Sequence, residues 1–236
     1  MRLLGDTVFL LFRRGANIRN TISQMANLGV NSMPIVLITV AFSGMVLAYQ
    51  TAREFVTRGA SDYVGWLVAI TMAREAAPVL SALVVAARVG SAIAAEIGSM
   101  KITEQIDALR ALAVNPIYYL VVPRVLACVV MLPVLTIYSD VVGVAGGYVV
   151  AVHAGVNPVT YVGSIRAFLG SWDVVGGLMK TVVFGTIVGI VSCHQGLKTT
   201  AGAAGVGRST TNSVVLSIIF VYAVNYFLNL VVFGRW

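Results

Sequence analysis

Five long apolar runs, divided by short segments that hold most of the charge, leave this chain few ways to fold. A helix needs about 20 apolar residues to cross the roughly 30 Å hydrocarbon core of a bilayer. Runs of about that length or more lie at about Met33–Thr51, Val64–Met100, Ile117–Val152, Val174–Gln195 and Asn212–Phe233. Only 11% of the 236 residues are charged and 58% are hydrophobic, against about 25% charged in soluble domains. The sequence is therefore read as an all-α integral membrane protein. It has about five transmembrane helices, an N-terminal interfacial helix and a cytoplasmic helix between the second and third spans.

At about 1.5 Å of rise per residue the second run exceeds about 50 Å, so it must tilt, kink or project into water. The third is also over-long and contains Pro123 and Pro133, with Gly143, Gly146 and Gly147 beyond them. Residues 1–30 mix apolar side chains with Arg13, Arg14 and Arg19, which suits a segment lying in the interface. The membrane domain is expected to occupy 31–236. Asp6 interrupts the leading apolar stretch and no small-residue cleavage site follows, so no removable signal peptide is expected. There is no internal repeat. Cys128 and Cys193 sit within apolar runs, where a small buried thiol is the simplest reading.

The net charge of +7 arises from 16 Lys and Arg scattered between apolar runs rather than gathered into a basic stripe, which argues against nucleic acid as a partner. Near the span ends these residues favour one side. Arg2, Arg13, Arg14, Arg19, Lys101, Arg110, Arg124, Lys198 and Arg208 face Arg53, Arg58, Arg166 and Arg235 across the membrane. Positive charge marks the cytoplasmic side, which puts the N-terminus in the cytoplasm and the C-terminus outside.

Within the second run, "TMAREAAPVL" carries Arg74, Glu75 and Pro78. An ionised group at membrane depth costs at least a few kcal/mol unless paired or hydrated, and Pro78 frees a carbonyl near Arg74 and invites a bend. Lys180, the lone ammonium of the fourth run, is the obvious partner for Glu75 in a structural reading. In a functional reading Arg74 or Lys180 attracts a lipid phosphate. Further along, Gly90, Ala94 and Gly98 recur every fourth residue, a spacing that lets membrane helices approach closely.

The segment "KITEQIDALRALAVNP", residues 101–116, reads as a short amphipathic helix at about 101–114. Ile102, Ile106, Leu109 and Ala113 recur at helical spacing, while Glu104, Gln105, Asp107 and Arg110 fall elsewhere around the helix. Thr103 is placed to cap the first turn and Asn115-Pro116 to stop it. Such a helix either rests on the headgroups or docks a soluble partner, its apolar stripe filling a groove and its charges setting register.

Chemistry of the chain's own is hard to find. "GAAGVGRS", residues 202–209, has the spacing of a phosphate-binding loop but with Arg208 where lysine is needed and no preceding strand; a glycine-rich cytoplasmic turn accounts for it better. His153 and His194 lie far apart without ligand-spaced carboxylates or thiols, and no nucleophile-base-acid set is readable, so neither a metal site nor an enzyme is expected.

The stretches "REAAPVLSALVVAARVGSAIAAEIGSM", "TEQIDALRALAVNPIYYLVVPR" and "GVGRSTTNSVV", in this order and spacing, resemble the MlaE/YrbE family, permease subunits of bacterial ABC systems that move phospholipids with MCE-domain partners. The resemblance runs from about Gly29 to the C-terminus. It implies a homodimer in the bacterial cytoplasmic membrane, two copies of a cytoplasmic ABC ATPase, an outward MCE-domain protein and, in some members, a STAS-domain subunit. ATP and magnesium would be held by the ATPase, leaving this chain without a cofactor. The segment Thr103, Glu104, Gln105, Ile106, Asp107, Leu109 and Arg110 would be the coupling helix. A phospholipid cavity among the first, second and fifth spans would have Leu47, Tyr49, Val68, Met72, Val79, Tyr222 and Tyr226 as candidate walls. An ion-coupled secondary transporter using Arg74, Glu75 and Lys180, and a membrane scaffold without transport, are the alternatives.

Overall fold

The computed structural model describes residues 18–200 and 202–234 together with Leu3, Gly5, Thr7, Phe9 and Leu10. Among these residues there are helices and turns but no strand. In chain order the helices are α1 (Ile18–Val30), α2 (Met33–Thr57), α3 (Ser61–Ile102), α4 (Gln105–Ala111), α5 (Ile117–His153), α6 (Pro158–Phe168), α7 (Ser171–Leu197) and α8 (Gly202–Val232). Helices α2, α3, α5, α7 and α8, of 25, 42, 37, 27 and 31 residues, are long and apolar enough to cross a membrane. The interfacial segment expected at residues 1–30 is described as a helix from Ile18, with Ile18 and Ile22 exposed; Arg13 and Arg14 lie outside the described residues.

Two compact units share these helices. One contains the chain up to Ser32, Ala82–Leu132 and Val182–Phe227; the other contains Met33–Ser81, Pro133–Thr181 and Leu228 onward.

In the second unit, α2 buries Val36, Val40, Gly44, Ala48 and Ala52, every fourth residue, and exposes Ile35, Ile38, Phe42, Val46 and Tyr49. The buried stripe meets the glycines of α5: a Cβ on Gly44 would run into the carbonyl of Gly143, and one on Gly146 would lie 3.1 Å from the carbonyl of Ala41. Gly143, Gly146 and Gly147 thus do not break α5 but bring its backbone against α2. Helix α6, which hydropathy alone does not reveal, is started by Asn157, whose side chain accepts from the Val159 N–H at 2.9 Å with Pro158 in the first turn. It packs on the start of α3, where the Trp66 N–H donates to Ser164 Oγ at 3.1 Å.

In the first unit, α8 buries Gly205, Ser209, Ser213, Ser217 and Val221. Ser213 donates to Ser192 Oγ of α7 at 2.9 Å and to the Gly90 carbonyl of α3 at 3.3 Å. Along α3, a Cβ on Gly90 would lie 2.9 Å from Ser192 Oγ and one on Gly98 2.7 Å from Thr199 Oγ1, while Ala94 between them is fully buried. The small residues of α3 therefore form a contact line for α7 and the turn that follows it, as close helix approach in membranes requires. One expectation fails here. The stretch 202–209 is not a turn but the first two turns of α8, because only Gly202 takes a left-handed φ, at 65°, and Gly205 then packs on Thr200.

The over-long α3 is continuous but locally widened at Met72–Ala76 and Ala86–Gly90, where the helix adopts π turns, and α5 opens with another at Ile117–Val121. Two of these have one cause. In both, the last N–H before a proline, that of Ala77 or Val122, reaches back five residues to Met72 or Ile117, and Pro78 or Pro123 follows directly. Proline has no N–H for the carbonyl four residues earlier and its ring crowds that carbonyl, so the wider turn relieves the clash. At Ala86–Gly90 no proline follows; there the Ser91 hydroxyl donates to the carbonyls of Ala87 and Arg88 at 2.5 and 3.0 Å.

Candidate functional site: a charge cluster and an exposed charged segment

The π turn at Met72–Ala76 presents Arg74 and Glu75 to α7. Arg74 donates from Nε to Asp173 Oδ1 at 2.8 Å and from Nη2 to the same oxygen at 2.5 Å. Asp173 sits in the first turn of α7, where an acid is favoured by the helix N-terminus. Its second oxygen accepts the Gly170 N–H at 2.8 Å, half of a capping box. Glu75 Oε1 accepts from Lys180 Nζ at 2.8 Å, and the ammonium also donates to Asn229 Oδ1 of α8 at 2.9 Å. The side chain of Lys180 is 0% exposed, against 39% for Glu75, 38% for Arg74 and 9% for Asp173.

Phe233 closes the cluster. Its ring centroid lies 4.7 Å from Arg74 Cζ and 5.5 Å from Lys180 Nζ, within reach of cation–π attraction. Two adjacent glycines make this possible: a Cβ on Gly176 would lie 2.7 Å from the Phe233 ring, and one on Gly177 would strike the Ala73 carbonyl. The Trp172 indole, donating to the Val232 carbonyl at 3.2 Å, fixes the end of α8 against the start of α7. The cluster thus holds two cations and two carboxylates, formally neutral, with both cations engaged.

Glu75 and Lys180 were the pair legible in the sequence. Asp173 escapes a count of apolar runs because it stands one residue before the run that begins at Val174, and Asn229 and Phe233 escape because nothing in their spacing marks them. Of the candidate cavity walls, Val68, Met72 and Val79 are enclosed in packing, whereas Tyr49, Tyr222 and Tyr226 are exposed and Leu47 lies on a shallow cleft with Phe42 and Val46.

The segment between α3 and α5 differs from the expected helix of about 101–114. Helix α4 covers only Gln105–Ala111. Thr103 does not cap it; its hydroxyl donates to the Ser99 carbonyl at 2.9 Å and accepts from Gln105 Nε2 at 3.0 Å. The residue before the first turn is Glu104, with a left-handed φ of 59° and no side-chain cap. Ala113, at φ 57°, ends the segment, and Asn115 starts the next helix instead of stopping this one, accepting from the N–H of Ile117 at 2.9 Å. Two reversals of backbone direction within ten residues leave no room for a longer helix.

Ile106 is fully buried and anchors the segment, while Glu104, Gln105, Asp107, Arg110 and Leu112 are exposed and Leu109 is half-buried. The apolar anchor therefore points into the chain itself, and the free face is the charged one. Asp107 organises that face, accepting from Lys101 at 3.2 Å and Arg110 at 2.7 Å. Beneath it a cleft of about 520 Å³ is bordered by Lys101, Arg110, Asn115 and Leu197. Nearby, the buried Arg124 donates to Glu96 Oε1 at 2.7 Å and to the Leu120 carbonyl at 2.8 Å, joining α3 to α5 close to the segment. This link is absent from the sequence reading, since Arg124 enters it only as a topology charge.

Comparison with known proteins gives these features a frame. A family model described as Permease MlaE matches residues 21–231. A probable ABC transporter permease protein of Synechocystis is 50% identical over 232 residues, covering 98% of this chain and 88% of the relative. A probable ABC transporter permease protein of Rickettsia typhi is 44% identical over 211 residues, 89% of this chain and 82% of its own. The chloroplastic protein trigalactosyldiacylglycerol 1 of Arabidopsis thaliana is 38% identical over 229 residues, 96% of this chain and 65% of its own. Multiple spanning helices, an anchored segment with a charged free face and a match over most of its length place the chain as a multi-pass transporter subunit: it belongs to the MlaE permease family.

Proposed function

We propose that this permease moves phospholipids or related lipids as the membrane subunit of an ABC transporter. It acts as a dimer in the cytoplasmic membrane with two cytoplasmic ATPases and an MCE-domain partner outside. A STAS-domain subunit on the ATPase belongs to the same proposal. The observation that carries it is the segment around α4, pinned to its own chain by Ile106 and presenting Glu104, Gln105, Asp107 and Arg110 outward. A rigid charged face suits docking to a soluble protein that binds ATP and magnesium, because complementary charge sets register and partner choice. ATP binding would then act on the permease through differential contacts in two states.

The lipid class is supported by the name of the Arabidopsis relative, which is that of a diacylglycerol galactolipid. The exposed aromatic side chains Tyr49, Tyr222 and Tyr226 are retained as candidate lipid contacts. The orientation, with the N-terminus in the cytoplasm, rests on the distribution of Lys and Arg.

Native mass spectrometry of the tagged permease, extracted gently from its own membrane, tests the whole reading. Two permeases with two ATPases, an MCE oligomer and retained phospholipid are expected. A permease oligomer carrying neither ATPase nor lipid would transfer the charge cluster to the ion-coupled alternative.

A further inference from the structure

Helices α3, α5, α6 and α7 enclose a groove of about 540 Å³ within one compact unit, inside the range of about 300–1,000 Å³ typical of small-molecule sites. Its walls are apolar, among them Ala73, Val144, Ile165 and the ring of Tyr161. Ile137, Val141 and Val162, which also line it, are exposed on the surface of spanning helix α5 and of α6. The groove is therefore open to the chain's surroundings.

One carboxyl breaks the apolar lining. Asp140 belongs to the groove, and its Oδ1 is buried without a hydrogen-bond partner. Buried polar atoms almost always have a partner, and an orphan marks a missing one. The nearby hydroxyl of Tyr161 is already used, donating to the Val144 carbonyl at 3.3 Å, and burial pushes its phenol up, so it stays a neutral hydroxyl. A charge at this place costs several kcal/mol if nothing donates to it.

We propose that this groove holds the hydrocarbon chain of a hydroxyl-bearing lipid, whose O–H donates to Asp140. The apolar walls supply the affinity for the chain and the carboxyl selects the end group. A phosphate end brings a charge into an apolar groove and an ammonium end does the same, and each costs more to desolvate than a hydroxyl does. The site is independent of the transport reading, because its occupancy is measured by binding alone.

The test uses the full-length permease in phosphatidylcholine nanodiscs and two probes, a long-chain alcohol with a diazirine on its chain and the methyl ether of that alcohol. After illumination, labelled peptides are mapped by mass spectrometry. The alcohol is expected to label residues 137–148 and 161–169 about tenfold or more above the ether, the scale of a hydrogen bond to a charged group. Asp140→Leu should bring alcohol labelling down to the ether level. Asp140→Asn, which retains an acceptor oxygen, should keep several-fold preference for the alcohol, and Val144→Trp should depress both probes. Equal labelling by alcohol and ether, or labelling spread evenly over exposed apolar faces such as that of α2, overturns the proposal. So does an Asp140→Asn protein that folds but shows no preference.

Discussion

Removing Glu75 should harm the protein more than removing Lys180, although both changes break the same ion pair. The side chain of Lys180 is 0% exposed, whereas that of Glu75 is 39% exposed. Glu75→Ala strands a buried ammonium, a kind of change that costs about 3–5 kcal/mol. The remaining bond to Asn229 Oδ1, at 2.9 Å, offsets part of this, since a hydrogen bond to a charged group is worth about 1.5–3 kcal/mol. A loss of about 2 kcal/mol is therefore expected. Lys180→Met keeps the stem's packing and removes the fully buried ammonium, leaving an acid that is 39% exposed, so a smaller loss is expected than when the ammonium is stranded. In the double variant no buried charge is left, and its stability should fall within about 0.5 kcal/mol of Lys180→Met. Reversible unfolding in mixed micelles, read by tryptophan fluorescence, gives all three values. Additive losses, or a Lys180→Met protein as unstable as Glu75→Ala, would refute the argument that burial of the ammonium sets the cost.

Reversing charge with Glu104→Lys and Asp107→Lys should abolish co-purification of the ATPase while the permease remains monodisperse; undiminished complex yield would count against docking at this face. Gly177→Val places a branched side chain against the Ala73 carbonyl and should cost at least about 1–3 kcal/mol, as overpacking does, visible as a lower unfolding midpoint or failure to assemble. Asn157→Ala removes the cap of α6 and should cost about 1 kcal/mol, with faster amide exchange confined to residues 158–168. Arg124→Met should leave overall stability within about 1–2 kcal/mol, since the stem still packs, but weaken stimulation of the ATPase by lipid; unchanged stimulation would remove the Arg124–Glu96 link from coupling.

The membrane spans were legible because hydropathy is a bulk property: a run of about 20 apolar residues has few alternatives in a bilayer. The stripe Gly90, Ala94 and Gly98 was legible for a related reason, since a period of four survives from sequence to helix surface. Helix α6 has only 11 residues, too few for that criterion, and its sign is local, the Asn157-Pro158 start. The 202–209 stretch misleads because glycine there serves contact rather than turning, and only the period Gly205, Ser209, Ser213 and Ser217 shows it. In the segment between α3 and α5 part of the apolar period was legible, Ile106 being buried and Leu109 half-buried, although Ile102 ends α3 and Ala113 is exposed. Its direction was not, because periodicity says that Ile106 lies on a face but not whether that face is turned to a partner or to the same chain.

On the proposed lipid transport, the arrangement of Arg74 and Glu75 constrains how a headgroup would engage this permease. Neighbours on a regular helix point about 100° apart, yet here both side chains reach α7, one to Asp173 and the other to Lys180, seven residues or about 10.5 Å apart along its axis. The widened turn ahead of Pro78 and the length of the two side chains make that double reach possible. Each cation then already holds a carboxylate, so a phosphate approaching Arg74 finds no vacant charge and must share or displace Asp173. That displacement would loosen α3 from α7 where Asp173 also caps the helix through Gly170. Where Asp173 is displaced, headgroup binding and loosening of these helices are coupled, and whatever holds α3 and α7 together opposes the headgroup.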